Sequence, residues 1–158
     1  RQIYVPEKYR ELMLRIYDWT GVEIDEIVPT ETLEPAQNKF SVSISKDFKS
    51  AFISFEEIGE GFELIIKNQL NELHNEGYPT LFLYLNLISP RLCSTIDFLN
   101  KESFIFSGIQ FNYFDHSDAL VMQRIDNIDI DFSQIKIFSD EGKFLLQEIE
   151  KEYKQLNH

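Results

Sequence analysis

The stretch AFISFEEIGEGFELIIKNQLNELHNEGYPTLFLYLNL, from Ala51 to Leu87, decides the fold. Ala51 to Ile58 reads as a strand. From Glu60 to Glu76 the period changes: Phe62, Ile65, Ile66, Leu70 and Leu73 share one helical face, and Gly77 ends it. Thr80 to Leu87 is nearly all Leu, Phe and Tyr and is flanked by Pro79 and Pro90, as expected for a central strand covered on both faces. Strand, helix and strand in this order imply a parallel pair joined by a right-handed crossover.

Upstream, Phe40, Val42 and Ile44 alternate with Ser41, Ser43 and Ser45, the two-residue period of a half-buried strand. The short polar interval Lys46 to Lys49 makes an antiparallel hairpin of this strand and the next. Nearer the start, Tyr9, Leu12, Met13, Ile16 and Trp19 fall on one helical face after Pro6, and Gly21 is the stop. Residues 22–38 hold Pro29 and Pro35 without a period and read as a surface loop, the mobile part of the chain. Downstream, Ser89 caps and Pro90 starts a helix with Leu92, Ile96 and Leu99 inward. Phe104 to Phe111 and Ala119 to Ile125 form a second hairpin across Asn112 to Asp118. Ser139, Asp140 and Glu141 open a last helix striped by Leu145, Ile149, Tyr153 and Leu156. The expected fold is α/β (α+β), a mixed, mostly antiparallel sheet with helices on both faces, in one domain over residues 1–158.

A 158-residue chain with 43% apolar residues can bury one sizeable core. The formal charge of −12 disfavours nucleic acid and anionic membrane as partners. Cys93 is the sole cysteine, so packing rather than disulfides must hold the fold, and the cytoplasm is the default compartment. The longest apolar run, Leu81 to Leu85, is strand-sized, far short of the ~18 residues of a membrane span. The opening at Arg1, without Met or a signal-like apolar segment, points to a domain excised from a longer protein or to tag cleavage.

The element order and several strings resemble the Gcn5-related N-acetyltransferase superfamily, and more closely a divergent C-terminal domain of longer bacterial and archaeal proteins. The strings are Tyr4-Val-Pro-Glu-Lys-Tyr-Arg, Leu83-Tyr-Leu-Asn-Leu-Ile-Ser-Pro, Phe104-Ile-Phe-Ser-Gly-Ile, Asp118-Ala-Leu-Val-Met-Gln-Arg-Ile and Ile135-Lys-Ile-Phe-Ser-Asp-Glu-Gly. The resemblance implies an acyl-CoA N-acyltransferase-like fold, with other domains of the same polypeptide as partners. In active members it implies acetyl-CoA held where the fourth and fifth strands splay. There the pyrophosphate rests on a Gln/Arg-x-x-Gly-x-Gly/Ala loop at a helix N-terminus.

The corresponding junction here is Phe55-Glu-Glu-Ile-Gly-Glu-Gly-Phe-Glu. Gly59 and Gly61 permit close backbone approach, so Ile58, Gly59, Gly61 and Phe62 are the cofactor-binding candidates. The loop is short, however, and its Gln or Arg is missing. Glu56, Glu57, Glu60 and Glu63 crowd it without a Lys or Arg in the segment. Each carboxylate repels a pyrophosphate by roughly 1 kcal/mol or more, against up to about 2 kcal/mol gained at a helix terminus. A plain strand-to-helix turn is the competing reading. The family's Tyr four residues before a Gly-Phe pair is replaced by Leu99 before Ser103-Phe104, and Leu cannot transfer a proton. Tyr84 could substitute as the acid, and Glu56 or Glu57 as a base with a carboxyl raised by desolvation.

Other constellations are weaker. Asp115-His116-Ser117-Asp118 holds triad residue types, but consecutive turn residues do not line up as a triad, and a polar hairpin turn is expected. Asp126-Asn-Ile-Asp-Ile-Asp lacks the Gly and terminal Glu of a calcium loop, and His74, His116 and His158 make no zinc spacing with one cysteine. No metal is expected. Cys93 reads as a small buried hydrophobe. The expected function is a degenerate acetyltransferase-superfamily domain serving as a binding or regulatory module. The alternative is an active acyl-CoA-dependent N-acyltransferase with an atypical cofactor loop, taking acetyl-CoA or another acyl-CoA. A third reading is a homodimer through the aromatic-rich Phe104 to Phe114.

Overall fold

A computed structural model of the chain describes residues 1–125 and 139–156. Its centre is the crossover expected from Ala51–Leu87. Strand β4 (Ser50–Glu57) leads into helix α2 (Phe62–Glu76), which closes at Gly77 in the left-handed region with φ 85° and returns through β5 (Thr80–Asn86). β4 and β5 run parallel from Ser50 opposite Thr80 to Phe55 opposite Leu85. On the far side of β4 lies β3 (Lys39–Ser45), antiparallel, with Phe40 opposite Phe55. β7 (Ser117–Ile125) pairs antiparallel with β5, and β6 (Ile105–Phe114) pairs antiparallel with β7. The five-stranded order is β3-β4-β5-β7-β6, so β5 is central and only one neighbouring pair is parallel. The fold is therefore mixed α/β with a mostly antiparallel sheet. The other described elements are β1 (Gln2–Ile3), a 3-10 turn (Glu7–Tyr9), α1 (Arg10–Thr20), β2 (Asp25–Glu26), α3 (Leu92–Lys101) and α4 (Asp140–Leu156). No helix among the described residues is long and apolar enough to cross a membrane.

The strand register sorts the apolar residues by face. Ala51, Ile53, Phe55, Leu81, Leu83, Leu85, Leu120, Met122 and Phe106 are all buried, and they join residues of α1, α2 and α3 in one core. Phe52, Ser54, Phe82 and Tyr84 point the other way and are only half-buried. Thus β5 is covered completely on one face and partly on the other. Its second face shields itself by stacking, Phe52 on Phe82 at 5.3 Å and Tyr84 on Tyr113 at 4.3 Å.

Four local expectations are corrected. Helix α3 starts at Leu92, not Pro90, and Ser89 does not cap it with its side chain, because Asn86 to Ser89 forms its own turn (Ser89 N to Asn86 O, 3.1 Å). The second hairpin turns at Asp115 and His116 alone, with His116 at φ 71°, so Ser117 and Asp118 belong to β7 and are buried. Trp19 lies outside the central core and meets Phe144 of α4 edge-on at 6.0 Å. Within residues 22–38, β2 pairs parallel with β1, and Ile27 N donates to Ile3 O at 2.7 Å. Residues 126–131 and Ile135, which carry the acidic stretch and part of one string of the resemblance, lie outside the described residues.

Candidate functional site

The junction between β4 and α2 is occupied by the chain's own backbone. Gly59 N donates to Asn38 Oδ1 at 2.6 Å, Asn38 Nδ2 donates to Glu60 O at 2.6 Å, and Glu60 N donates to Ala36 O at 3.1 Å. A Cβ on residue 59 would stand 2.4 Å from Ala36 O and 2.5 Å from the carbonyl carbon of Gln37. Glycine is required there because residues 36–38 press against it. Gly61 differs: nothing lies near its Cβ position, and its φ of 79° is what demands glycine at the N-cap of α2.

The neighbouring backbone of β4 is also satisfied from within. Asn86 Nδ2 donates to Glu56 O at 3.0 Å, and Ser89 Oγ lies 3.4 Å from Ile58 N. Ile58 and Phe62 are buried, and the Phe62 ring packs edge-on against Phe55 at 4.7 Å. Of the four cofactor-binding candidates, Ile58 and Phe62 are buried and residues 36–38 cover Gly59 at its Cβ position, yet all four border one cleft of about 510 Å³. The residues present do not fit a pyrophosphate at Gly59 and Glu60, since both amides and the space over Gly59 are taken.

The electrostatics differ from the sequence picture in one respect. The segment itself has no cation, yet the fold brings three to it. Lys39 Nζ pairs with Glu56 Oε2 at 2.7 Å, which holds the Lys39 ammonium more firmly protonated. Arg91 and Lys67 line a cleft of about 510 Å³ beside the start of α2, together with Gly61, Phe62, Ser94 and Thr95. One Arg91 Nη2 donates to Glu34 O at 3.2 Å and stands 3.7 Å from Glu60 Oε1, while Arg91 Nε is buried without a hydrogen-bond partner. The repulsion expected from the clustered carboxylates is therefore partly offset.

Glu56 and Glu57 line a second cleft, about 390 Å³, at the open end of β4 and β5 with Asn86, Ser89, Asp115 and Ser117. The Glu56 carboxylate is engaged by Lys39, and Glu57 is exposed. Neither is enclosed by apolar side chains. Tyr84 does not line this cleft; it stacks on Tyr113, and burial first, then Tyr113, raises its hydroxyl pKa. Ser54 stands opposite Tyr84, so Glu56, two residues further along β4, lies on the same face of the sheet as Tyr84. Among the described residues no three His, Cys, Asp or Glu side chains converge to hold a metal.

Three participants escape a reading of the local sequence. Asn38 and Arg91 act at the β4–α2 junction from 21 and more residues away. Asp118 is the third: it accepts from Tyr17 OH at 2.7 Å, Arg1 Nη1 at 3.0 Å and Asn112 N at 2.8 Å, and so ties the N-terminus and α1 to the second hairpin. Its signal is an acid at the head of the apolar run Ala119 to Met122.

No family model matches the chain, and no curated protein matches it. Among solved structures it is similar to the N-terminal domain of ribosomal-protein-alanine acetyltransferase from Clostridium acetobutylicum, with 16% identity, TM-score 0.41 and coverage of 56% of this chain and 72% of that one. It is also similar to ribosomal-protein-alanine N-acetyltransferase from Brucella melitensis, with 16% identity, TM-score 0.41 and coverage of 77% and 79%. The ribosomal-protein-S18-alanine N-acetyltransferase from Escherichia coli shares 17% identity at TM-score 0.38, over 56% of this chain and 61% of that one.

Proposed function

We propose that this chain is a degenerate acetyltransferase-like domain that works as a binding or regulatory module alongside other domains, not as a catalyst. The observation behind this reading is the seating of residues 36–38 on Gly59 and Glu60. A cofactor entering there must first break three hydrogen bonds, each worth about 1 kcal/mol net. A ~3 kcal/mol handicap weakens binding by roughly a hundredfold. The Leu99 position and the engagement of the Glu56 carboxylate by Lys39 support the same reading. Calorimetric titration of the folded protein with acetyl-CoA tests it: no heat beyond dilution is expected, and micromolar binding overturns it.

A second reading, an active acyl-CoA-dependent N-acyltransferase, draws support from the unpartnered Arg91 Nε beside the start of α2 and Lys67. Its cofactor would then bind outside Gly59, over the α2 terminus. A screen of several acyl-CoAs with amine acceptors that stays at background, on protein shown to be folded, excludes it.

A further inference from the structure

The sheet ends in two edges that are treated differently. Along β6, helix α4 packs close, and Glu152 accepts the Phe106 backbone N–H at 3.0 Å. At the other end β3 pairs with β4 alone, and no described strand pairs with its outer edge. Six of its seven residues are exposed, and Phe40, Val42 and Ile44 retain about two-fifths of their surface in one row.

Proteins usually blunt such an edge with proline, a bulge or a charge. Residues 40–45 contain no proline and no charged side chain, and the only register shift lies at the Lys39/Phe40 end. In a chain of net charge −12, a neutral strand flanked by Lys39 and Lys46 is where a second copy meets the least repulsion. The strand is also nearly symmetric about Val42: apolar, Ser, Val, Ser, apolar from Phe40 to Ile44. Antiparallel self-pairing centred there sets Phe40 beside Ile44 of the other copy, Ser41 beside Ser43, and Lys39 beside Ser45. Apolar residues meet apolar ones, hydroxyls meet hydroxyls, and no like charges are opposed.

We propose that two copies of this chain pair antiparallel along β3 about a two-fold axis at Val42, joining their sheets into one of ten strands. This does not depend on whether the domain is catalytic. One strand pair buries less than the roughly 1,200 Å² of a standard stable interface, so the dimer is concentration-dependent. Because each copy carries −12, added salt screens the repulsion and strengthens it.

Sedimentation of the chain over about 10 μM to about 1 mM, at low and moderate salt, tests the proposal over the range expected for a small interface. A monomer–dimer equilibrium favoured by salt is expected. Val42→Lys, at an exposed site and checked for folding by circular dichroism, should leave monomer throughout. In a Cys93→Ser background, V42C should form an intermolecular disulfide at least about tenfold faster than S45C. Opposed Cα atoms at the axis lie within bridging distance, while the two 45 positions stand roughly 20 Å apart. A monomer at every concentration, a dimer untouched by Val42→Lys, or equal cross-linking at both positions overturns the proposal.

Discussion

Asn38 grips the backbone on both sides of the Gly59–Glu60 peptide: its Oδ1 receives Gly59 N at 2.6 Å and its Nδ2 reaches Glu60 O at 2.6 Å. One side chain therefore pins the loop before β3 onto the turn where the resembled family receives its cofactor. Asn38→Ala removes both bonds, and a loss of about 1–2 kcal/mol is expected in urea unfolding. Gly59→Ala forces a Cβ toward Ala36 O, 2.4 Å away, and should cost about 1–3 kcal/mol. Both variants should accelerate amide exchange in residues 34–38 while the core strands stay protected. Unchanged exchange there would mean that the loop is held by something other than these contacts.

The Tyr17 hydroxyl and the Asp118 carboxylate form a second tie, at 2.7 Å between α1 and β7. Burial first, and Asp118 next, keep the Tyr17 hydroxyl protonated and donating. Asp118→Ala strands Tyr17, Arg1 and Asn112 N at once and should cost about 3–5 kcal/mol. Asp118→Asn should cost much less: its Oδ1 can still receive Arg1 and Asn112 N, and its Nδ2 can donate to a reversed Tyr17 hydroxyl. Thermal unfolding of the two variants side by side checks the order. Equal losses would assign the role to the negative charge and not to the hydrogen-bond pattern.

The parts of the fold legible in the sequence are those governed by local period. The strand–helix–strand of Ala51–Leu87 and the serine-alternating β3 follow from spacing alone, because side-chain direction repeats with the backbone. Ser117 and Asp118 read as turn residues because they are polar, and local polarity says nothing of partners that arrive from Tyr17 and Arg1. The candidate site is legible by position only. Gly59 marks a close backbone approach, but whether a ligand or the chain's own Ala36 makes that approach is decided by contacts across more than 20 residues. The charge around Glu60 escapes the local sequence for the same reason, since Arg91 enters from beyond β5.

Cys93 offers a check on burial near α3. Its thiol is half-buried; desolvation, followed by Glu26, raises its pKa above the ordinary 9.0, and Arg10 pulls only weakly the other way. Burial therefore favours the thiol over the reactive thiolate. Labelling by an aromatic disulfide reagent should be slow in the native protein, rise with pH, and become fast in denaturant. Rapid native labelling at neutral pH would show an activated thiol instead.

Glu152 sets a pH dependence with a definite sign. It is the one buried residue of α4 among those described, and its Oε1 receives both Tyr9 OH at 2.6 Å and Phe106 N at 3.0 Å. Burial raises its carboxyl pKa above the ordinary 4.5, and the Tyr9 bond, Lys8 and the Phe106 N–H recover only part of the shift. A carboxyl that holds its proton more tightly when folded contributes its stability fully below the ordinary pKa and loses it as pH rises through the raised one. The sign is opposite to that of an ion-paired acid such as Glu26, whose pKa is lowered by its hydrogen bonds with Arg10. Glu152→Gln keeps an acceptor for both donors without the charge, so it should gain on the wild type as pH climbs from about 4.5 to neutrality. Glu152→Ala leaves two buried donors unpaired and should lose about 1–3 kcal/mol for each at every pH. Urea unfolding of the three proteins across that range separates charge from hydrogen bonding, because the general repulsion of a −12 chain is nearly common to all and largely cancels in the differences. If the wild type instead gains on Glu152→Gln as pH rises, the ionised carboxylate stabilises the α4 contact, and its two donors and Lys8 outweigh the cost of burying the charge.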